Sequence, residues 1–229
     1  MMKNCALAFL LGTAAVLFTG CGGGGDSGAT TTSFPAQAGF RARIAAGLTD
    51  NFTLSGTCTG TATITNGAAT PSTFEGVAGF AATQTATVNL TNCTPATNTI
   101  SETSYYDGSY TPLGSSIPGV EYAKFLTAPP PLPTAVKVGD AAVYATLTTF
   151  TDSTKIIVTG QRVLSYVVEA DTANTAVVNV ISKEYDTLHQ LMVTQQSRYR
   201  IAADGTLTVL TIDVQYSTTS TTHLLYTRV

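Results

Sequence analysis

The residues able to do chemistry are few and scattered. The chain of 229 residues holds four cysteines, Cys5, Cys21, Cys58 and Cys93, and two histidines, His189 and His223. Neither histidine has a second one at metal-ligand spacing, so each reads as a half-buried strand residue and no metal site is expected. Gly25-Asp26-Ser27-Gly28 carries the letters that surround a serine nucleophile in chymotrypsin-like proteases. Such a serine must be held rigidly against a base, and a run beginning Gly22-Gly23-Gly24 does not hold it. Asp140, Asp152, Asp171, Asp186 and Asp204 all fall in or beside expected turns, where aspartate bonds local backbone rather than calcium. Arg198 and Arg200 share one strand face with Gln196 and Thr194. They are able to hold a carboxylate or phosphate, but read as solvated decoration. Lys183, Glu184 and Asp186 read as a charged strand end that discourages aggregation. No Gly-x-Ser-x-Gly elbow, His-Glu-x-x-His, Walker loop or Rossmann glycine pattern occurs after the first 20 residues. The reading is of a non-enzyme with no catalytic residue and no cofactor.

One aromatic cluster stands out as a binding candidate. Tyr105-Tyr106-Asp107-Gly108-Ser109-Tyr110 surrounds a turn. Exposed tyrosines there are able to stack on sugar rings or fill a partner's pocket. The plainer reading is a hairpin whose tyrosines pack across two strands.

The N-terminus carries the clearest pattern. Met1-Met2-Lys3-Asn4 is followed by an uncharged stretch from Cys5 to Phe18, shorter than the ~20 apolar residues of a membrane span. It fits a secretory signal. Leu17-Phe18-Thr19-Gly20-Cys21 then resembles the lipobox of bacterial lipoproteins, with Phe18 where leucine is usual. The resemblance implies a signal peptide over 1–20, lipidation of Cys21 and a palmitoylated N-terminus. It also implies an outer-membrane location, with Gly22 in place of the aspartate that marks inner-membrane retention; which face is not specified. Gly22 to Phe34 reads as a flexible tether within residues 21–35, with a reach of roughly 20 Å. With Cys5 removed and Cys21 lipidated, Cys58 and Cys93 remain as one pair in an oxidising compartment, and a disulfide is expected.

Composition sets the body. Charged residues are 11% of the chain and the net charge is −3; there is no basic surplus to neutralise phosphates, so no nucleic-acid partner is expected. Threonine, serine and alanine favour strands and turns. Residues 38–48 read as a short helix or irregular lead-in, with Phe40, Ile44 and Leu48 at helical spacing. Strands are predicted over 52–56, 60–65, 73–80 and 83–90, with a turn at Asn66-Gly67. Pro129-Pro130-Pro131-Leu132-Pro133 is neither helix nor central strand and reads as a linker. Beyond it, strands are predicted near 142–150, 155–169, 174–185, 189–201, 206–216 and 222–228. Their short connections make consecutive strands antiparallel, and a phase shift near Val209 predicts a bulge.

The expected fold is therefore all-β and antiparallel. A small disulfide-stapled sheet spans residues 36–128, the proline-rich linker 129–133, and a roughly six-stranded up-and-down meander 134–229. The run from Tyr185-Asp186 through Arg198-Tyr199-Arg200 to Asp204-Gly205-Thr206 resembles Thr-rich, disulfide-bearing envelope lipoproteins of proteobacteria, a resemblance that implies no activity. Two functions are expected from this reading. One is a non-catalytic envelope module that docks a protein or glycan through Tyr105, Tyr106 and Tyr110. The other is a carrier whose meander curls around an apolar ligand, lined by Val178, Val180, Leu191 and Val193.

Overall fold

The computed structural model describes residues 32–217 and 222–229. The expected signal, Cys21 and most of the expected tether lie outside the described residues. One helix, α1 (Ala36–Ala46), precedes the strands β1 (Leu48–Gly56), β2 (Gly60–Asn66), β3 (Thr70–Phe74), β4 (Val77–Leu90), β5 (Thr97–Asp107), β6 (Pro112–Ile117) and β7 (Glu121–Phe125). They continue with β8 (Ala141–Phe150), β9 (Val158–Thr172), β10 (Thr175–Asp186), β11 (Leu191–Ala202), β12 (Leu207–Tyr216) and β13 (His223–Arg228).

The six strands expected beyond the prolines are present, but they are not a separate meander. Each strand from β3 to β13 pairs antiparallel with the next. β7 pairs directly with β8, Tyr122 opposite Phe150, so the proline stretch lies inside one sheet. Two further pairings close the sheet. β1 pairs with β13, Leu54 opposite Tyr226, and β2 pairs with the second half of β4, Ile64 opposite Ala86. The result is a closed twelve-stranded barrel with β3 as one extra strand. The small sheet, the linker and the separate meander are thus corrected to a single barrel. Closure removes the two open edges that a meander would leave, which is a strong driving force for a β sheet in water.

Side chains alternate in and out along each strand. Inward positions supply most of the core: Phe52 and Leu54 of β1, Ala62 and Ile64 of β2, Ile212 and Val214 of β12 and Tyr226 of β13 form one buried cluster. The outward positions explain the threonine content. Thr83 meets Thr103 at 3.0 Å, Thr85 meets Ser101 at 2.9 Å, and Thr87 meets Thr99 at 3.2 Å across β4 and β5. Such hydroxyl pairs each contribute a few tenths of a kcal/mol up to about 1. On these strands the outer wall is polar, not the apolar band of a membrane-spanning barrel. Among the described residues no helix is long and apolar enough to cross a membrane.

The first half of β4 stays paired with β5, Gly79 opposite Asp107, and carries β3 on its other edge; residues at the tip of this β3–β4 hairpin pack over β5, β6 and β7. Phe74 stacks on Tyr105 at 4.5 Å and on Tyr122 at 5.4 Å. Its ring sits where Gly114 has no side chain; a Cβ there would lie 2.6 Å from it. Glu75 holds the hairpin down through Tyr122 at 2.5 Å, Lys124 at 2.8 Å and Lys155 at 2.6 Å. The disulfide Cys58–Cys93 joins the β1–β2 turn to the β4–β5 turn, beside the closing β2–β4 pairing. The predicted bulge is observed opposite β11, where Arg198 pairs with Thr211 but Tyr199 with Val209.

Candidate functional site

An eight-stranded barrel is just filled by its own side chains, and diameter grows with strand number. Twelve strands therefore leave space inside, and the sequence fills it in three ways. At one end α1 lies across the lumen. In the middle, buried aromatic and aliphatic side chains surround cavities. Deeper along β5, β7, β9 and β10 lies a charged cluster.

The 11-residue helix is too short to be stable alone. It has no side-chain N-cap and follows Pro35. Tertiary contacts hold it: Phe40 meets Tyr199 edge-on at 5.6 Å, Arg41 lies over Tyr110 at 5.1 Å and Arg43 over Tyr199 at 5.6 Å. Arg43 also pairs with the buried Asp50, which accepts a second bond from Arg228 at 2.9 Å. Gly39 touches the β11–β12 turn so closely that a Cβ there would stand 2.3 Å from the Gly205 carbonyl oxygen. The proline stretch runs alongside. Pro133 accepts from Gln37 N–H at 3.1 Å, Phe34 exchanges backbone bonds with Val136, and Pro130 accepts from the Tyr144 hydroxyl at 2.6 Å. The segment expected to separate two lobes is a strap over the barrel mouth.

Beneath α1 and the strap lies an apolar cavity of about 70 Å3. Phe40, Ile44, Tyr110, Leu147, Val178 and Val180 are among its walls. It adjoins a second cavity of about 90 Å3 whose walls include Gln84, Ser104, Gln195 and Ser197. Phe40, Ile44, Ser104 and Tyr106 border both.

Two residues further along β5, β9 and β10 from Ser104, Leu164 and Ser182 stand Glu102, Arg162 and Glu184, all on inward positions. Arg162 is fully buried. Its guanidinium donates to Glu121 at 2.6 Å and Glu184 at 3.0 Å, and Glu102 lies 3.9 Å away. Three carboxyl groups share one positive charge. Burial pushes the Glu102 carboxyl up to about 8, against the pull of Arg162, so it is protonated at neutral pH. Burial likewise raises the Glu184 carboxyl, with repulsion from Glu121 adding to it. Arg162, held by the three carboxyls, remains charged despite the burial that opposes it. The proton kept on Glu102 lowers the excess of negative charge around Arg162.

The residues expected to dock a partner are placed differently. Tyr106 and Tyr110 are buried, 6% and 8% exposed, with Tyr106 facing the lumen and Tyr110 stacked on Phe80 at 4.8 Å. Tyr105 faces outward but lies under Phe74 and bonds Ser116 at 3.2 Å. The three do not form an exposed surface; the cross-strand packing reading describes them. Of the expected carrier lining, Val178 and Val180 border the apolar cavity. Leu191 and Val193 do not; Val193 packs on the cluster around Phe52. Glu184, read as part of a solvated strand end, instead points inward to Arg162.

The other candidates sit as their turns and strands demand. Asp152, Asp186 and Asp204 accept from backbone N–H groups two residues on, at 2.8 Å each. Asp140 accepts from Lys137 N–H at 2.8 Å. Arg198 pairs with Glu169 and Arg200 with Asp171 on the outer wall, so neither is free for an anion. His189 approaches Gln161 at 3.3 Å and His223 approaches Asp213 at 3.1 Å, on separate parts of the surface. Among the described residues no three His, Cys, Asp or Glu are grouped to hold a metal.

Sequence reasoning missed the Arg162 cluster, though a signal existed. Arg162 falls in phase with Leu164, Tyr166 and Val168, and Glu184 in phase with Val178 and Val180. A charge on the apolar phase of a strand is a charge inside the barrel.

Comparison with family models, with curated proteins and with solved structures gave no match.

Proposed function

We propose that this chain is an outer-membrane lipoprotein anchored through Cys21, whose barrel is a non-catalytic binding module that carries a small apolar ligand in its lumen. The carrying observation is the apolar cavity beneath α1, bordered by Val178 and Val180 and closed by a short helix held only by tertiary contacts. Burial of Tyr106 and Tyr110 removes the support for docking through those rings. The ligand is small because the apolar cavity, at about 70 Å3, and the one adjoining it, at about 90 Å3, together only just reach the ~150 Å3 that admits benzene in an engineered apolar core. Long-chain lipid would need the several hundred Å3 of a typical ligand pocket.

Two measurements on protein from its own membranes test this reading. A palmitate analogue should label the wild type and not Cys21→Ser; a wild type that stays unlabelled and soluble sinks the anchor. Native mass spectrometry should find a small molecule at one per chain, lost in Val180→Gln, which puts a larger polar side chain into the cavity. A ligand-free wild type that also fails to take up toluene would remove the carrier.

A further inference from the structure

The second cavity names the ligand class. We infer that the lumen selects a small neutral amphiphile, its apolar body against Leu147 and Val180 and its uncharged hydrogen-bonding head in the cavity walled by Gln84, Ser104, Gln195 and Ser197. This rests on the lumenal-binding reading above and deepens it.

Three observations carry it. First, the two cavities are neighbours, bordered in common by Phe40, Ile44, Ser104 and Tyr106, so one molecule spans an apolar and a polar compartment. Second, the polar walls are built, not incidental. Gln195 and Ser197 are each 4% exposed, and the Gln195 amide donates to Ser197 Oγ at 3.1 Å. Gln84 donates to Asn66, its partner on the neighbouring strand, at 2.8 Å in the same wall. Burial pushes the Tyr106 phenol up to about 12, so its hydroxyl stays a donor throughout the physiological range. A space of about 90 Å3 bordered by such groups holds several waters, since each needs roughly 10–15 Å3 and two to four polar partners. A ligand head that reproduces those bonds displaces the waters at little loss, whereas an apolar head leaves the walls unsatisfied.

Third, the walls are uncharged save for Arg43, and that guanidinium is committed to Asp50. An ammonium entering this compartment would meet no counter-charge, and a carboxylate only Arg43, already held by Asp50, so burying either charge is unfavourable. The polar lining therefore suits hydroxyl, carbonyl or amide groups.

The test uses the full-length protein and a series of one size: toluene, p-cresol, benzoate and benzylamine, with binding followed by ligand-detected NMR and checked by native mass spectrometry. p-Cresol should bind roughly tenfold tighter than toluene, the worth of about one net hydrogen bond, and tighter than either charged probe. Gln195→Leu and Ser197→Ala should each lower the ratio of p-cresol to toluene affinity by about fivefold. Unfolding curves of both variants keep the comparison to folded protein, and Ser197→Ala, the smaller change, serves if Gln195→Leu does not fold. Toluene binding as tightly as p-cresol would overturn the neutral-head inference and leave the apolar carrier standing. Benzoate or benzylamine binding best would overturn it in favour of a charged head. No binding of any probe would overturn both.

Discussion

Arg162→Leu is expected to destabilise the barrel by about 3–5 kcal/mol, or to prevent folding, because it leaves carboxyl groups buried without their counter-charge. Arg162 is fully buried and bonds Glu121 and Glu184 directly. Chemical denaturation of the variant beside the wild type reads the effect. A loss below about 1 kcal/mol would mean that the cluster is hydrated and the guanidinium dispensable. The pH dependence supplies a second readout. Glu102 has its folded pKa raised from the ordinary 4.5 to about 8. The folded chain therefore keeps a proton that the unfolded chain releases between those values. That contribution to stability is complete below about pH 4.5 and is lost as pH rises through about 8. Glu184, also raised by burial, adds a change of the same sign. Glu102→Gln, neutral at every pH, should flatten the fall in stability between about pH 5 and 8 and make the variant the more stable form at about pH 9. Identical slopes in the two proteins would refute the buried-proton account.

Loss of the Cys58–Cys93 disulfide is the second large effect. It encloses 35 residues, and the chain-entropy account assigns such a loop roughly 4 kcal/mol. The fold adds a location to that magnitude. The bridge sits beside the β2–β4 pairing, one of two contacts that turn a meander into a barrel. In the Cys58→Ser, Cys93→Ser double variant, amide protection should fall first along Gly60–Asn66 and the paired half of β4. Strands β9 to β11, each flanked by long neighbours, should keep theirs until global unfolding. Uniform loss of protection across all strands would show that the bridge stabilises the whole chain and not the seam.

Much of the strand content is legible in the sequence. The six strands predicted for the second half match β8 to β13 to within a few residues, because their inward and outward phases alternate and their turns carry Asp-Gly or short Ser/Thr pairs. The bulge at Val209 is readable from a shift in that phase. Asp152, Asp186 and Asp204 are readable as turn residues because their partners are two residues away. The disulfide is legible as the pairing of Cys58 with Cys93, the two cysteines outside the N-terminal motif.

Closure is not legible, and the physical reason is range. Local periodicity specifies which side of a strand is buried. It does not specify whether β1 will find β13, with Phe52 opposite Arg228, or whether β2 will pair past β3 to β4. Those pairings are chosen by the free energy of removing two open edges, a property of the whole sheet. The same reason corrects the reading of the run from Pro129 to Pro133. Four prolines in five residues cannot continue a central strand, but only the closed barrel provides a mouth for them to cross. It also corrects the tyrosines. Tyr105, Tyr106 and Tyr110 are aromatic residues at a turn in any reading; the barrel's lumen and the β3–β4 hairpin decide that they are covered. By itself the sequence determined an antiparallel all-β chain with one internal staple and a helix-like lead-in. Tertiary structure alone decided that twelve strands close around a space too wide for their own side chains. That surplus width places α1 as a lid, Arg162 among its three glutamates, and an apolar cavity beside a polar one.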